Sequence, residues 1–128
     1  MDNNCPFCTI DETKIVLRNE TCFAVYDIFP ATEGHMLVVP LRHAPSFFDY
    51  TPEEISDVWA LVSECKGLLD ERFSPDGYNI GMNLGECAGQ TVFHLHIHII
   101  PRRIGDTENP KGGIRHAVRG KGSYGPRR

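Results

Sequence analysis

Thr91-Val92-Phe93-His94-Leu95-His96-Ile97-His98-Ile99-Ile100 is the stretch that decides how this chain is read. Apolar residues alternate with histidines, and a period of two is that of a strand. Successive side chains of a strand leave on opposite faces. Phe93, Leu95, Ile97 and Ile99 would then form one apolar face, and His94, His96 and His98 would line up along the other. The apolar face has to be covered by another element. Imidazoles are poor core fillers and poor strand formers, yet half of the chain's six histidines fall within these five residues. Such a row points to chemistry, and the residues leave two kinds open. Three histidines on one face could hold zinc. A neutral imidazole is also a nucleophile, and its free pKa of about 6.5 leaves it mostly unprotonated at pH 7. Gly85 and Gly89 just upstream favour the second kind, because glycine lets backbone N–H groups approach an anion closely.

The cover for the apolar face is found upstream. Thr51-Pro52-Glu53-Glu54 is a helix start: Thr51 can cap, Pro52 suits the first helical position and Glu54 completes a capping box. Ile55, Val58, Trp59, Val62, Cys65, Leu68 and Leu69 follow at helical spacing, and Ser74-Pro75-Asp76-Gly77 closes the unit. This predicts one long helix over about residues 52–72. Lys14 to Leu17, Cys22 to Tyr26, Met36 to Val39 and Tyr78 to Asn83 read as further strands, with prolines expected to stop two of the five, at Pro40 and Pro101. Strands, one helix and more strands give an α+β class with a mostly antiparallel sheet of about five strands and the helix on one face.

The 128 residues suit one domain, and 41% hydrophobic with 23% charged residues is ordinary globular composition. No apolar run approaches the ~20 residues of a membrane span, and the N-terminus shows no secretory pattern. Five cysteines, an odd number, argue against a disulfide framework, so a reducing cytoplasm is the expected location. The net charge of −4 hides an asymmetry: residues 1–110 hold seven Lys/Arg against seventeen Asp/Glu, a balance of −10, whereas residues 111–128 hold six Lys/Arg and no acid. A basic tail can be a solvated arm, a strap on the acidic body or part of a phosphate site. Nucleic acid and membrane are not expected partners.

With these residues in view, Gly89-Gln90-Thr91-Val92-Phe93-His94-Leu95-His96-Ile97-His98-Ile99-Ile100 resembles the signature of the histidine-triad (HIT) superfamily. Gly34-His35-Met36-Leu37-Val38-Val39-Pro40, Asp27 and Asn83 fall at the matching places. Ala88 to Asp106 looks closest to the fragile-histidine-triad branch, while the Cys5/Cys8 start and the Gly112-Gly113-Ile114-Arg115 tail look more like bacterial members. The resemblance implies a HIT domain over residues 1–105, followed by a basic tail, 106–128, packed on or near it. It implies a nucleotide hydrolase or transferase acting at an α-phosphate, with His96 attacking phosphorus to form a nucleotidyl-histidine and water then releasing AMP. His98 would bind the phosphates and assist the leaving group, and His35 would position His96 or the phosphate. Gln90 and Thr91 would bond to the phosphates or the leaving group with Asn83 nearby, and Asp27 would accept from the ribose hydroxyls. Phe7, Ile10, Val25, Ile28 and Leu37 would line the base pocket. Substrates would be dinucleoside polyphosphates or AMP conjugates, and the usual state would be a homodimer.

Cys5-Pro6-Phe7-Cys8 is a lone CxxC with no βαβ context, which speaks against a redox pair of the thioredoxin kind. Some relatives complete a zinc site with histidines at the places of His43 and His94. Cys5, Cys8, His43 and His94 would then hold a closed structural zinc, and the chemical step would need no metal. Two other functions stay open on the sequence: a zinc hydrolase whose ligands are His94, His96 and His98, and a nucleotide-binding module with little turnover. In the tail, Arg115, His116 and Arg119 are candidates for a distal phosphate.

Overall fold

The structure, a computed structural model, describes residues 4–127. The first three residues and Arg128, at the outer ends of the two expected segments, lie outside the described residues. Five strands form one sheet in the order β1-β2-β3-β5-β4, every neighbouring pair antiparallel. They are β1 (Leu17–Arg18), β2 (Cys22–Tyr26), β3 (Met36–Pro40), β4 (Gly77–Gly81) and β5 (Ile97–Arg102), with the helix α1 (Pro52–Phe73) between β3 and β4.

Helix α1 starts and stops where its sequence dictates. The Thr51 hydroxyl accepts from the Glu54 N–H, the Glu54 carboxylate accepts from the Thr51 N–H, and Ser74 ends the helix in the left-handed conformation before Pro75. Val58, Leu61, Val62, Cys65 and Leu69 are its buried stripe, packed with Ala24, Met36, Val38, Leu95, Ile97 and Ile99 of the sheet side. Burying one such side chain stabilises the fold by roughly 1.5–3 kcal/mol. A second, smaller cluster lies on the opposite sheet face: Phe23, Val25, Leu37 and Val39, with Phe7, Ile10 and Ile15 against it. The sheet is thus covered by the helix on one face and by the N-terminal segment on the other.

The strand expected over Thr91 to Ile100 is shorter than its pattern. Its ladder with β3 begins only at Ile97, opposite Val38, and β5 then runs through Pro101 to Arg102. Pro40 is the cause at the near end. It sits in β3 with its nitrogen on the β5 side, where it has no N–H to offer the ladder. The chain diverges there, and Leu95 N–H donates instead to the Ala44 carbonyl, 2.8 Å away. Leu95, Ile97 and Ile99 are buried as the alternation requires, but Phe93 lies in the unpaired part and is 48% exposed. Pro40 is the last residue of β3, as expected, whereas β5 runs one residue past Pro101 to Arg102. Both prolines face the side on which the neighbouring ladder has already stopped, which is where a strand tolerates proline. At the chain's start, Glu12–Lys14 forms a short 3₁₀ turn and only Leu17–Arg18 pairs, so β1 is shorter and later than the apolar run predicts.

Candidate functional site

Three of the histidines meet on the sheet face away from α1. His96 and His98 stand on alternate positions with ring centroids 5.1 Å apart, and His35, just before β3, brings its ring to 5.2 Å from that of His98. Gly34 places His35. Its φ of +88° suits glycine, and a Cβ there would meet Phe73 Cδ2 at 2.9 Å.

Hydrogen bonds to backbone groups settle which ring nitrogens carry protons. A peptide N–H can only donate and a carbonyl can only accept. Ala31 N–H donates to His35 Nδ1 at 2.9 Å, so the proton of a neutral His35 is on Nε2, 3.0 Å from His98 Nδ1. His98 Nδ1 then accepts, and its own proton is on Nε2. On the neighbouring residue the order is reversed: His96 Nδ1–H donates to the His94 carbonyl at 2.9 Å, which leaves Nε2 with a free lone pair. The site therefore presents one bare imidazole nitrogen, on His96, beside one N–H donor, on His98. Burial pushes the His98 pKa down to about 4, helped by the neighbouring His96 and His35 rings and opposed by Asp27. Burial also lowers that of His35, again opposed by Asp27, whose carboxylate lies 3.6 Å from His35 Nε2. Both rings are held neutral at pH 7, as the hydrogen-bond chain requires.

A cavity of about 730 Å³ opens in front of this pair. Phe7, Ile10, Val25, Ile28 and Leu37 all line it, together with Asp27, Asn83, Thr91, His96 and His98. One end is apolar and one end polar, the arrangement that binds a nucleoside phosphate. Asp27 Oδ1 accepts from Phe29 N–H, and Oδ2 remains directed to the polar side near His35.

His94 takes no part in that cavity. Its Nε2–H donates to the Pro40 carbonyl at 2.6 Å, and its Nδ1 lone pair faces Cys5 Sγ at 3.4 Å, Cys8 Sγ at 3.5 Å and His43 Nδ1 at 3.1 Å. The four ligand atoms lie within 4.8 Å of one another. Tetrahedral bonds of about 2.0–2.3 Å would set such atoms roughly 3.3–3.8 Å apart, so two thiols and two imidazoles can close on one metal ion here. Burial raises the Cys5 thiol pKa and lowers that of His94. The first makes a spontaneous reactive thiolate unfavourable; the second keeps the imidazole in the neutral form a metal needs. The three triad histidines do not converge on one point: His94 belongs to this cluster, and His98 to the group around Asp27 and His35. A metal held jointly by His94, His96 and His98 is thus excluded by this geometry.

The HIT domain family matches residues 10–105 of this sequence. The chain belongs to the HIT family. A bis(5'-adenosyl)-triphosphatase of Dictyostelium discoideum is 40% identical over 100 residues, which are 78% of this chain and 67% of that one. A crystal structure of a HIT family protein from Bacillus anthracis superposes with a TM-score of 0.74 at 39% identity, covering 80% of this chain and 76% of that one. A Zn-bound histidine triad family protein from Mycobacterium smegmatis does so with a TM-score of 0.74 at 35% identity, covering 83% and 80%.

Within this HIT chain, two expectations meet a different geometry. Gln90 does not line the cavity. It is buried, its Oε1 accepts from Gly85 N–H, and its Nε2 donates to the Pro45 and Val92 carbonyls. Its amide is spent on shaping the loop that carries Thr91. The N–H groups of Gly85 and Gly89 are likewise committed, to Gln90 Oε1 and the Glu86 carbonyl, so neither awaits an anion. Sequence reasoning missed the backbone partners that set the tautomers, Ala31, Pro40 and the His94 carbonyl. It also missed Lys14, Phe29 and Val92 on the cavity wall. Only Pro40 carried a signal: a proline that interrupts a ladder leaves a carbonyl for a side chain to use.

Proposed function

We propose that this chain hydrolyses dinucleoside polyphosphates and related AMP conjugates at the α-phosphate through a nucleotidyl-His96 intermediate. The observation that carries the reading is the set of hydrogen bonds that gives the two neighbouring neutral rings opposite tautomers. The adenine would lie between Phe7, Ile10, Val25, Ile28 and Leu37, with the ribose hydroxyls on Asp27. The His96 Nε2 lone pair forms an N–P bond to the α-phosphorus as the bridging P–O bond breaks, and its electrons leave on the nucleoside polyphosphate. His98 Nε2–H hydrogen-bonds that departing oxygen without losing its proton, which suits a phosphate anion that is stable at neutral pH. Water then forms a new P–O bond, the N–P pair returns to Nε2, AMP leaves and one proton goes to solvent. The Thr91 hydroxyl and the Asn83 amide serve the phosphates, and His35 holds His98 in its donor tautomer. The name of the Dictyostelium relative supports the substrate class.

Cys5, Cys8, His43 and His94 hold a structural zinc in this reading, supported by the donor set and by the Zn-bound Mycobacterium structure. The ion would tie the N-terminal loop to the triad segment and has no open position for substrate. A homodimer in a reducing cytoplasm completes the reading. Five cysteines without a disulfide among the described residues fit that compartment, and β1 and β4 are the edge strands of the sheet, each with one paired side. The test is AMP release from diadenosine triphosphate by the wild type and by His96→Ala, with and without chelator in the assay. Release that is lost in the variant and kept in chelator is expected. Release by His96→Ala at the wild-type rate would refute the covalent step.

A further inference from the structure

A second cleft, of about 360 Å³, lies on the far side of His98. Antiparallel register brings its floor to one sheet face, Gly81 opposite His98 and Asn79 opposite Ile100. Its wall is the 3₁₀ turn Gly113–Ala117 of the basic tail, which contributes Ile114 and Ala117. This wall lies beyond the family match, which ends at residue 105. The tail packs close over β4: a Cβ built on Gly81 would be in ordinary van der Waals contact with Ile114 Cδ1, at 3.8 Å. Ile114 is nonetheless 73% exposed, an apolar side chain left uncovered above a cleft. His98 and Asn83 line both clefts, whereas His96 lines only the first.

We infer that this second cleft receives the departing half of the substrate, the distal nucleoside of a dinucleoside polyphosphate, and that the tail is part of the binding site. The inference rests on the hydrolase reading above and names its leaving group. In-line displacement sets the leaving oxygen opposite the attacking nitrogen. With His96 on one side of the phosphorus, that oxygen points past His98 toward the second cleft. The cleft is within the range of about 300–1,000 Å³ that holds small ligands. Ile100, Ile114 and Ala117 offer apolar surface to the faces of a base. The Asn79 NH₂ offers a polar contact to its edge, the Asn79 carbonyl being held by Arg102 Nη1 at 2.6 Å. Charge agrees. The linking phosphates are anionic, and residues 111–128 carry six Lys/Arg and no acid on an otherwise acidic chain. Such a field favours an anionic leaving group over an amine.

The experiment reads binding rather than turnover. In a His96→Ala background, calorimetry measures affinity for the α,β-methylene analogue of diadenosine triphosphate and for AMP, with Ile114 intact, changed to Asp or changed to Val. Ile114 is too exposed for these changes to threaten folding. Ile114→Asp is expected to weaken the analogue about tenfold through lost apolar contact and charge repulsion, to leave AMP unchanged, and Ile114→Val is expected to bind both as the parent does. No loss, or the same loss for both ligands, overturns the subsite. So does an Ile114→Asp shift in sedimentation velocity without selective loss, which would make the cleft a contact between two copies of this chain. A selective loss in a protein whose wild type releases no AMP would keep the subsite and overturn the hydrolase; failure to bind either ligand would overturn both.

Discussion

Acid should weaken this fold through His98, and the amount follows from its surroundings. In an unfolded chain this imidazole takes up a proton near pH 6.5; in the folded protein burial delays that to about 4. Between those values the unfolded state binds more protons, so stability is complete above about pH 7 and falls as the pH is lowered through the window. Each unit of difference corresponds to about 1.4 kcal/mol. Integrated over the window, this gives a loss of about 2 kcal/mol at pH 5 and about 3 kcal/mol near pH 4. Asn in place of His98 cannot titrate, yet its side-chain oxygen can still accept from His35 Nε2–H. Urea unfolding of wild type and His98→Asn, each at pH 7.5 and pH 5, isolates the effect because His94, His35 and the carboxylates are common to both proteins. The wild type should lose about 2 kcal/mol more than the variant over that interval. A stability difference that stays flat with pH, or a His98 ring that titrates near 6.5 by NMR, would refute both the buried neutral imidazole and the tautomer chain built on it.

Two further perturbations read other parts of the structure. Cys8→Ala removes one of the four proposed metal ligands and frees the loop that sets Phe7 5.0 Å from the His96 ring; bound metal measured by elemental analysis should fall, and KM for a dinucleoside polyphosphate should rise several-fold with a smaller change in kcat. Wild-type metal content in that variant would count against the cluster. Gly34→Ala combines a left-handed φ with a Cβ 2.9 Å from Phe73 Cδ2, so urea unfolding should show a loss of about 2–4 kcal/mol, and a loss below about 0.5 kcal/mol would mean that the turn before His35 is not under that constraint.

How much of this was legible in the sequence depended on whether a signal was local. Helix α1 was readable almost to the residue because its capping box, its apolar stripe and Ser74-Pro75 are all contained in one segment. The five residues expected to line a base pocket, with Asp27 and Thr91, were placed through the resemblance, and the structure brings them to one cavity. The extent of β5 was not readable. Alternation in Thr91 to Ile100 reports which side chains are buried, whereas a ladder depends on a partner strand with N–H groups to give, and Pro40 withholds one some fifty residues away. The partners of Gln90 were hidden for a related reason. Its polar side chain beside the triad suggested a ligand contact, but what it bonds to is decided by the path of Gly85 and Pro45, which no local pattern records. The tail's charge was evident; its position beside Gly81 was not.

The two prolines show how a failure of the ladder becomes a site. At each end of the β3–β5 pairing a proline faces a neighbour that no longer pairs, and each leaves a carbonyl without a backbone donor. Buried carbonyls need partners. Pro101 receives the Thr32 hydroxyl at 2.6 Å, which anchors the loop whose Ala31 N–H fixes the His35 tautomer. Pro40 receives His94 Nε2–H, which turns the Nδ1 lone pair of His94 toward the cysteines. The freed backbone then carries His96, whose own tautomer is fixed by the His94 carbonyl. The Cys/His cluster, the bare nitrogen of His96 and the N–H of His98 are therefore ordered around the ends of the β3–β5 pairing.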